Sequence, residues 1–206
     1  MTAPGGEQVS GGLAFATPGD WFALRVPRER TDAATLTDRL IAARPELAAQ
    51  RDAVDRMLRG LFDGCASLDV LCAYTTALDV PGGPLPATLL ASMHPMDGLT
   101  VDRIAADMSA LDDPALDDSV TLPEVGRFDL PVGRTARIER LREWGTPGQD
   151  HRIVSLVVQY VAEIPGTGNA IMLTFSTPAV ALAGQLRQLF HQIACTLRFE
   201  GQEQQR

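Results

Sequence analysis

The residues RIVSLVVQYVAEI (152–164), PGTGN (165–169), AIMLTFST (170–177) and PAVALAGQLRQLFHQIACTLRF (178–199) decide the fold. Every second residue from Val154 to Ile164 is apolar, which is typical of a strand with one buried face. The Gly-rich run after it predicts a hairpin loop, because such residues accept positive φ. The period then changes from two to about 3.6, so Thr177 is expected to cap a helix that begins at Pro178. The apolar stripe of that helix is Leu182, Leu186, Leu189, Phe190, Ile193 and Leu197. A hairpin and a covering helix therefore form the predicted core.

The rest of the chain alternates between strand and helix signals. Two short strands are expected within 13–26, separated by the turn residues 17–20. A pair of helices is expected within 32–64, where Pro45 either opens the second helix or kinks one long helix. Further strands are expected at 68–78 and 87–94, and a short helix begins at Thr100. Two short strand pieces are expected at 120–125 and 128–130. The run 134–144 is rich in Arg and Glu, which suits a helix, but turn residues flank it and strands follow it, so we interpret it as a charged strand.

These elements predict an α+β protein. Consecutive hairpins favour a mainly antiparallel sheet, and amphipathic helices must cover both of its faces, as in a helix–sheet–helix sandwich. The predicted organisation is a disordered leader at 1–12, a single domain at 13–199 with its helical segment at about 32–64, and a tail at 200–206.

Charge and composition narrow the function classes. The formal net charge is −8, which argues against a nucleic-acid partner because phosphate neutralisation needs a basic surface. No signal peptide or run long enough to insert into a membrane is recognised. The three cysteines, Cys65, Cys72 and Cys195, have no metal-ligand spacing, so free thiols in a reducing cytoplasm are expected. All the basic residues are Arg, which we interpret as coding bias in a GC-rich organism.

Three segments resemble a known family: LPVGRTARIERL (130–141), VVQYVAEIPG (157–166) and LTFSTPAVALAGQLRQLFHQIACTLRF (173–199). They are similar in pattern to the PsbP-like sandwich proteins of actinobacteria, and the opening FATPGDWFALRV (15–26) resembles the usual start of these domains. The wider superfamily includes the photosystem II extrinsic protein PsbP, a Ran-binding nuclear import factor and Eag-type chaperones of type VI secretion. Because these proteins act mostly by binding other proteins, the resemblance implies a binding or assembly role.

Six residues are the candidate partner-binding set. Arg134, Arg140 and Arg142 would share one face of a strand at 134–142 and could receive acidic groups, although ion pairing across strands on a wet face explains them as well. The stiff loop 81–86 adds Gly82, Gly83 and Pro84 as an exposed surface. A chaperone, adaptor or assembly subunit that binds a protein partner is the first hypothesis. The oligomeric state stays open.

An enzyme or small-ligand-binding protein is the alternative hypothesis. It would use a pocket between the helical segment and the sheet, with His94 or His151 at the rim. No phosphate-binding loop, dinucleotide fingerprint, zinc-protease motif or nucleophile elbow is present, so no catalytic residue and no cofactor is predicted, and enzyme activity stays uncertain. His191 and Cys195 lie four residues apart on the last helix, but nothing nearby completes a metal site, so none is predicted.

Overall fold

The computed structural model describes residues 6–9, 13–24, 33–52, 54–56, 58–59, 70–78, 85–111, 120–145 and 152–199. The ten strands of this part are β1 (Gly6–Val9), β2 (Leu13–Ala16), β3 (Phe22–Leu24), β4 (Val70–Leu78), β5 (Leu85–Pro95), β6 (Glu124–Leu130), β7 (Gly133–Gly145), β8 (Arg152–Ile164), β9 (Asn169–Thr177) and β10 (Arg198–Phe199). The α-helices with defined bounds are α1 (Ala33–Ala43), α2 (Val101–Ser109) and α3 (Ala183–Ala194).

Seven strands form one antiparallel sheet in the order β3-β4-β5-β9-β8-β7-β6. A second, three-stranded sheet has the order β1-β2-β10. Each face of the large sheet carries helices, so the predicted α+β class with a mainly antiparallel sheet and helices on both faces is confirmed. The charged run at 134–144 lies within β7, which confirms the strand interpretation.

The first face of the large sheet is covered by α3 and the small sheet. Phe190 of α3 is fully buried and stacks on Phe175 of β9, with ring centroids 4.5 Å apart. Phe15 of β2 contacts Tyr74 of β4 edge to face at 5.4 Å. The predicted helical stripe supplies this core, because Leu186, Phe190, Ile193 and Leu197 are all buried. Burial of this apolar surface is the main stabilising contribution of the hairpin and its helix.

The opposite face is covered by the helical segment and by α2. Leu36 and Leu40 of α1, together with Leu58, pack on Ala73 of β4. Pro45 begins a 3-10 helix, Pro45–Gln50, and the described residues within 51–59 are helical, so of the two alternatives Pro45 opens a new element. Val101 and Ala105 of α2 are buried against Ile138 and Val161, and Thr100 caps α2, accepting a hydrogen bond from the Arg103 N–H at 3.1 Å.

Two local predictions need correction. Gly6–Val9, within the predicted disordered leader, forms β1 paired with β2, because strand pairing uses backbone groups and requires no large apolar side chain. The last helix does not begin at Pro178: a 3-10 turn, Val180–Leu182, precedes α3. The Thr177 hydroxyl instead donates to the Pro86 carbonyl at 2.8 Å and accepts from the Ala179 N–H at 3.1 Å, so it links β9 to β5 rather than capping a helix.

Among the described residues, no helix combines the length and the apolar character needed to cross a membrane.

Candidate functional site

The arginines of β7 alternate between the two faces of the sheet, as their spacing predicts. Arg134, Arg140 and Arg142 lie on the face that α2 covers, and Arg137 lies on the face that α3 covers. Their surroundings differ. Arg134 is exposed and pairs with Asp102 at 2.6 Å, whereas Arg140 is only 8% exposed and donates to Gln159 Oε1 at 2.9 Å. Arg142 is half-buried. Arg140 is therefore part of the protein interior, and Arg134 is the exposed one of the three arginines.

The other predicted site residues divide into two groups. Gly82, Gly83 and Pro84, like His151 and Cys65, lie outside the described residues. His94 lies near the end of β5, where its Nε2 is 2.8 Å from the Ser92 hydroxyl. The helical segment packs on the sheet through apolar side chains, and the two surface depressions described below lie elsewhere.

His191 of α3 lies in a compact polar cluster above β7 and β8. Its Nδ1 is 3.5 Å from the Tyr160 hydroxyl, and its Nε2 is 3.6 Å from the sulfur of Cys195. The Phe128 ring lies beside the imidazole at 5.3 Å, and the Arg137 guanidinium lies over the Phe128 ring at 5.1 Å. Within the described part of the chain, no group of three or more His, Cys, Asp and Glu side chains is placed to hold a metal ion.

Tyr160 and Glu139 are the buried ionisable members of this region. Burial raises the pKa of Tyr160 to about 12, against a lowering contribution from the neighbouring Arg137. Glu139 is 3% exposed, and its Oε1 accepts hydrogen bonds from the Arg187 guanidinium of α3. Its Oε2 is buried and has no hydrogen-bond partner among the described residues. This ion pair joins α3 to the sheet, and the sequence analysis missed it. The helical spacing of Arg187 and His191, four residues apart, is the signal that places both on one helix face.

Next to these residues lies β6, the edge strand of the large sheet. β6 pairs with β7 along its whole length, and within the described residues it has no strand on its other side. Glu124, Arg127 and Asp129 are exposed, and Phe128 and Val125 are half-buried. The sequence predicts two strand pieces here, at 120–125 and 128–130, whereas the structure has one continuous strand that begins at Glu124. The Phe128 ring covers Gly126, lying 2.6 Å from the position that a Cβ would occupy, so the glycine leaves no gap in the strand.

An apolar rim extends this edge beyond the start of β6. Val120 and Leu122 are each 48% exposed, which is high for large apolar side chains. Two hydrogen bonds hold residues 120–121 against β7: the Val120 N–H donates to the Leu141 carbonyl at 2.7 Å, and the Leu141 N–H donates to the Thr121 hydroxyl at 3.0 Å. The rim is therefore an ordered apolar surface in line with the open edge.

Charged residues border the edge on the α2 face. The Asp102 carboxylate, in the first turn of α2, pairs with Arg134 at 2.6 Å and with Arg127 at 3.4 Å. These residues line a shallow depression of about 360 Å³ with Phe128 and Asp129. Asp129 lies opposite Arg134 in the register of β6 and β7, yet it forms no ion pair with any described residue. A second depression, of about 310 Å³, lies between the turn after β5 and the β8–β9 hairpin loop and is lined by Leu99 and Glu163 among others.

Comparison with known proteins finds a likeness in the overall course of the backbone. No protein family model and no curated protein matches the sequence. The chain is similar to the solution structure of cyanobacterial PsbP (CyanoP) from Synechocystis sp. PCC 6803, with 14% sequence identity and a TM-score of 0.45. The similarity covers 91% of this chain and 86% of that chain. It concerns the course of the backbone and not the chemistry of any site.

Proposed function

We propose that this protein is a non-enzymatic protein-binding module that pairs an extended segment of another polypeptide with the open edge strand β6. One observation carries the proposal: the seven-stranded sheet ends, within the described residues, in a strand with a single neighbour, and an ordered apolar rim continues that edge. An open edge strand presents unpaired backbone N–H and C=O groups, which an added strand satisfies. The binding role that the sequence resemblance implies agrees with such a mode.

The rim supplies the second element that strand addition requires. Backbone pairing provides affinity without much selectivity, whereas side-chain contacts provide selectivity. Val120 and Leu122 are half-exposed beside a strand that otherwise exposes charged groups. Their burial by a partner would contribute most of the apolar contact area at this edge.

The test is affinity capture from a lysate of the native host, with the full chain as bait. Leu122→Asp places a charge in the rim and should reduce recovery of the partner by roughly tenfold or more, because burying an unpaired carboxylate is unfavourable. Leu99→Asp is the matched control, since Leu99 is 49% exposed and lies on the turn after β5. Equal recovery with both variants would contradict binding at this edge.

We also propose that the protein belongs to the PsbP-like proteins of actinobacteria and that it is cytoplasmic. Membership of the actinobacterial PsbP-like proteins is supported by the segments quoted above and by the use of Arg for every basic residue. A cytoplasmic location is supported by the thiol of Cys195, which forms no disulfide. Cell fractionation of the native host with an antibody against the protein checks the location, and recovery in an extracellular fraction would contradict it.

A further inference from the structure

We infer that the polypeptide that pairs with β6 is a second copy of this chain, so that two protomers join their sheets edge to edge about a two-fold axis. The inference rests on the proposed function, since it uses the same open edge. It follows from a self-complementary sequence on that edge, Arg127-Phe128-Asp129.

Antiparallel pairing centred on Phe128 places opposite charges together. Phe128 then lies opposite its own copy, Arg127 lies opposite Asp129 of the second copy, and Asp129 lies opposite Arg127. Residues directly opposite each other on antiparallel strands have side chains on the same face at contact distance. A two-fold axis makes the contact isologous, so a single arrangement forms two Arg–Asp pairs and one aromatic pair.

The charges already present on β6 and β7 favour this register. Arg127 and Asp129 are exposed, and Asp129 lacks an ion-pair partner among the described residues. Arg134 lies opposite Asp129 on β7. In the dimer, Asp129 would lie between Arg134 of its own chain and Arg127 of the second copy, so positive and negative groups alternate across the joined sheet. Shifting the register by one residue would instead place Arg127 opposite Phe128 and lose both pairs.

The shape of the edge also suits a second copy. Proline cannot donate a ladder hydrogen bond, so Pro131 limits the paired segment to about five residues on each strand. The helix α2 packs against β6, β7 and β8, and β7 is the middle one of these three strands. Helices above the two β7 strands would be three strand spacings apart, roughly 14 Å, which exceeds the 8–10 Å of packed helices. The helices therefore do not block the pairing. A contact this small predicts a weak, concentration-dependent dimer.

Sedimentation equilibrium of the full chain over a wide concentration range tests the inference. The wild type should shift from its monomer mass of 22.1 kDa towards twice that mass as concentration rises. Arg127→Asp places acid opposite acid, and Asp129→Arg places arginine opposite arginine. Each variant alone should therefore raise the dissociation constant of the dimer by roughly tenfold or more. An equimolar mixture of the two variants should restore dimerisation, because the mixed pair places two acids opposite two arginines.

Arg103→Asp is the matched control. Arg103 is an exposed arginine of α2 that pairs with Asp107 and lies off the sheet edge, so this variant should dimerise as the wild type does. Circular dichroism of each variant confirms that the chain is folded. A monomer at every concentration, or a mixture that fails to regain the dimer, would overturn the inference. If the wild type is monomeric while Leu122→Asp still lowers partner recovery, the edge binds a different polypeptide and the proposed function stands without the dimer.

Discussion

The Glu139–Arg187 ion pair should stabilise the protein asymmetrically, and substitution of each partner measures this. Glu139 is 3% exposed, whereas the Arg187 side chain is 41% exposed at the surface of α3. Arg187→Met leaves a buried carboxylate without its guanidinium, while Glu139→Gln leaves a guanidinium that water can reach. Removing one partner of a fully buried pair costs about 3–5 kcal/mol. Because Arg187 is partly exposed, we expect the lower end of that range for Arg187→Met and about 1 kcal/mol for Glu139→Gln.

Replacing both partners should restore most of the stability. The double variant Glu139→Leu with Arg187→Met removes the buried charge together with its partner, and apolar replacements of buried pairs are often neutral or stabilising. We expect it to lie within about 1 kcal/mol of the wild type, with a large coupling energy in the double-mutant cycle whose single variants are Glu139→Leu and Arg187→Met. Urea unfolding followed by circular dichroism gives the free energy of unfolding of each variant.

The exposed pair Arg103–Asp107 provides the control for this cycle. Its side chains are 68% and 54% exposed, so Arg103→Met should change the free energy of unfolding by less than about 1 kcal/mol. Equal losses for Arg187→Met and Glu139→Gln, or a cycle without coupling, would show that the carboxylate is not held in an apolar setting. The asymmetry is the decisive quantity, since a simple contact loss would affect both variants alike.

Three further predictions concern the core, a titration and a cap. Phe190→Ala should lower the free energy of unfolding in urea by about 3–5 kcal/mol, because Phe190 is fully buried against Phe175. Gln188→Ala, on the exposed side of α3, is the control and should leave the free energy of unfolding nearly unchanged. Burial raises the pKa of Tyr160 from 10.0 to about 12, so the contribution of this residue to stability is complete below pH 10 and is lost as the pH rises towards 12. In an absorbance titration of tyrosinate, Tyr160→Phe should therefore remove the step near pH 12. A tyrosinate titration that completes near pH 10 in the folded wild type would contradict the burial. Thr100→Ala should cost about 1 kcal/mol in thermal unfolding through loss of the N-cap hydrogen bond, and an unchanged melting temperature would contradict that role.

Periodicity predicted the elements that the sequence encodes locally. The alternation before Ile164 and the stripe that includes Phe190 are properties of single segments, and both proved to be core. The apolar stripe of α2 predicts a helix that begins at Thr100, and in the structure Thr100 is the N-cap of that helix. The α3 start differed because the Thr177 hydroxyl bonds to Pro86, which lies on another strand and far away in sequence.

The surroundings of the charged residues could not be read from the chain. Strand parity places Arg134 and Arg140 on one face, but it does not say what covers each residue. Arg140 is buried beside Gln159, whereas Arg134 reaches Asp102 at the protein surface. Gly126 lies within β6 and has no side chain, and the Phe128 ring fills the space that a side chain would occupy there. This contact could not be predicted from the sequence either. Such contacts arise from packing and leave no periodic signal.

The placement of charges across the sheet argues for function at its edge. Moving outward from the core, Glu139 is neutralised by Arg187 of α3, and Arg134 is neutralised by Asp102 of α2. These pairs anchor one helix on each face of the sheet, so the fold itself accounts for them. Asp129 on β6 is different, because the described residues leave its carboxylate without an ion pair at a strand that has only one neighbour. Asp129 is thus an exposed charge that no described group neutralises, and Arg127, of opposite sign, lies on the same open strand. A partner at that edge explains this arrangement better than the fold does.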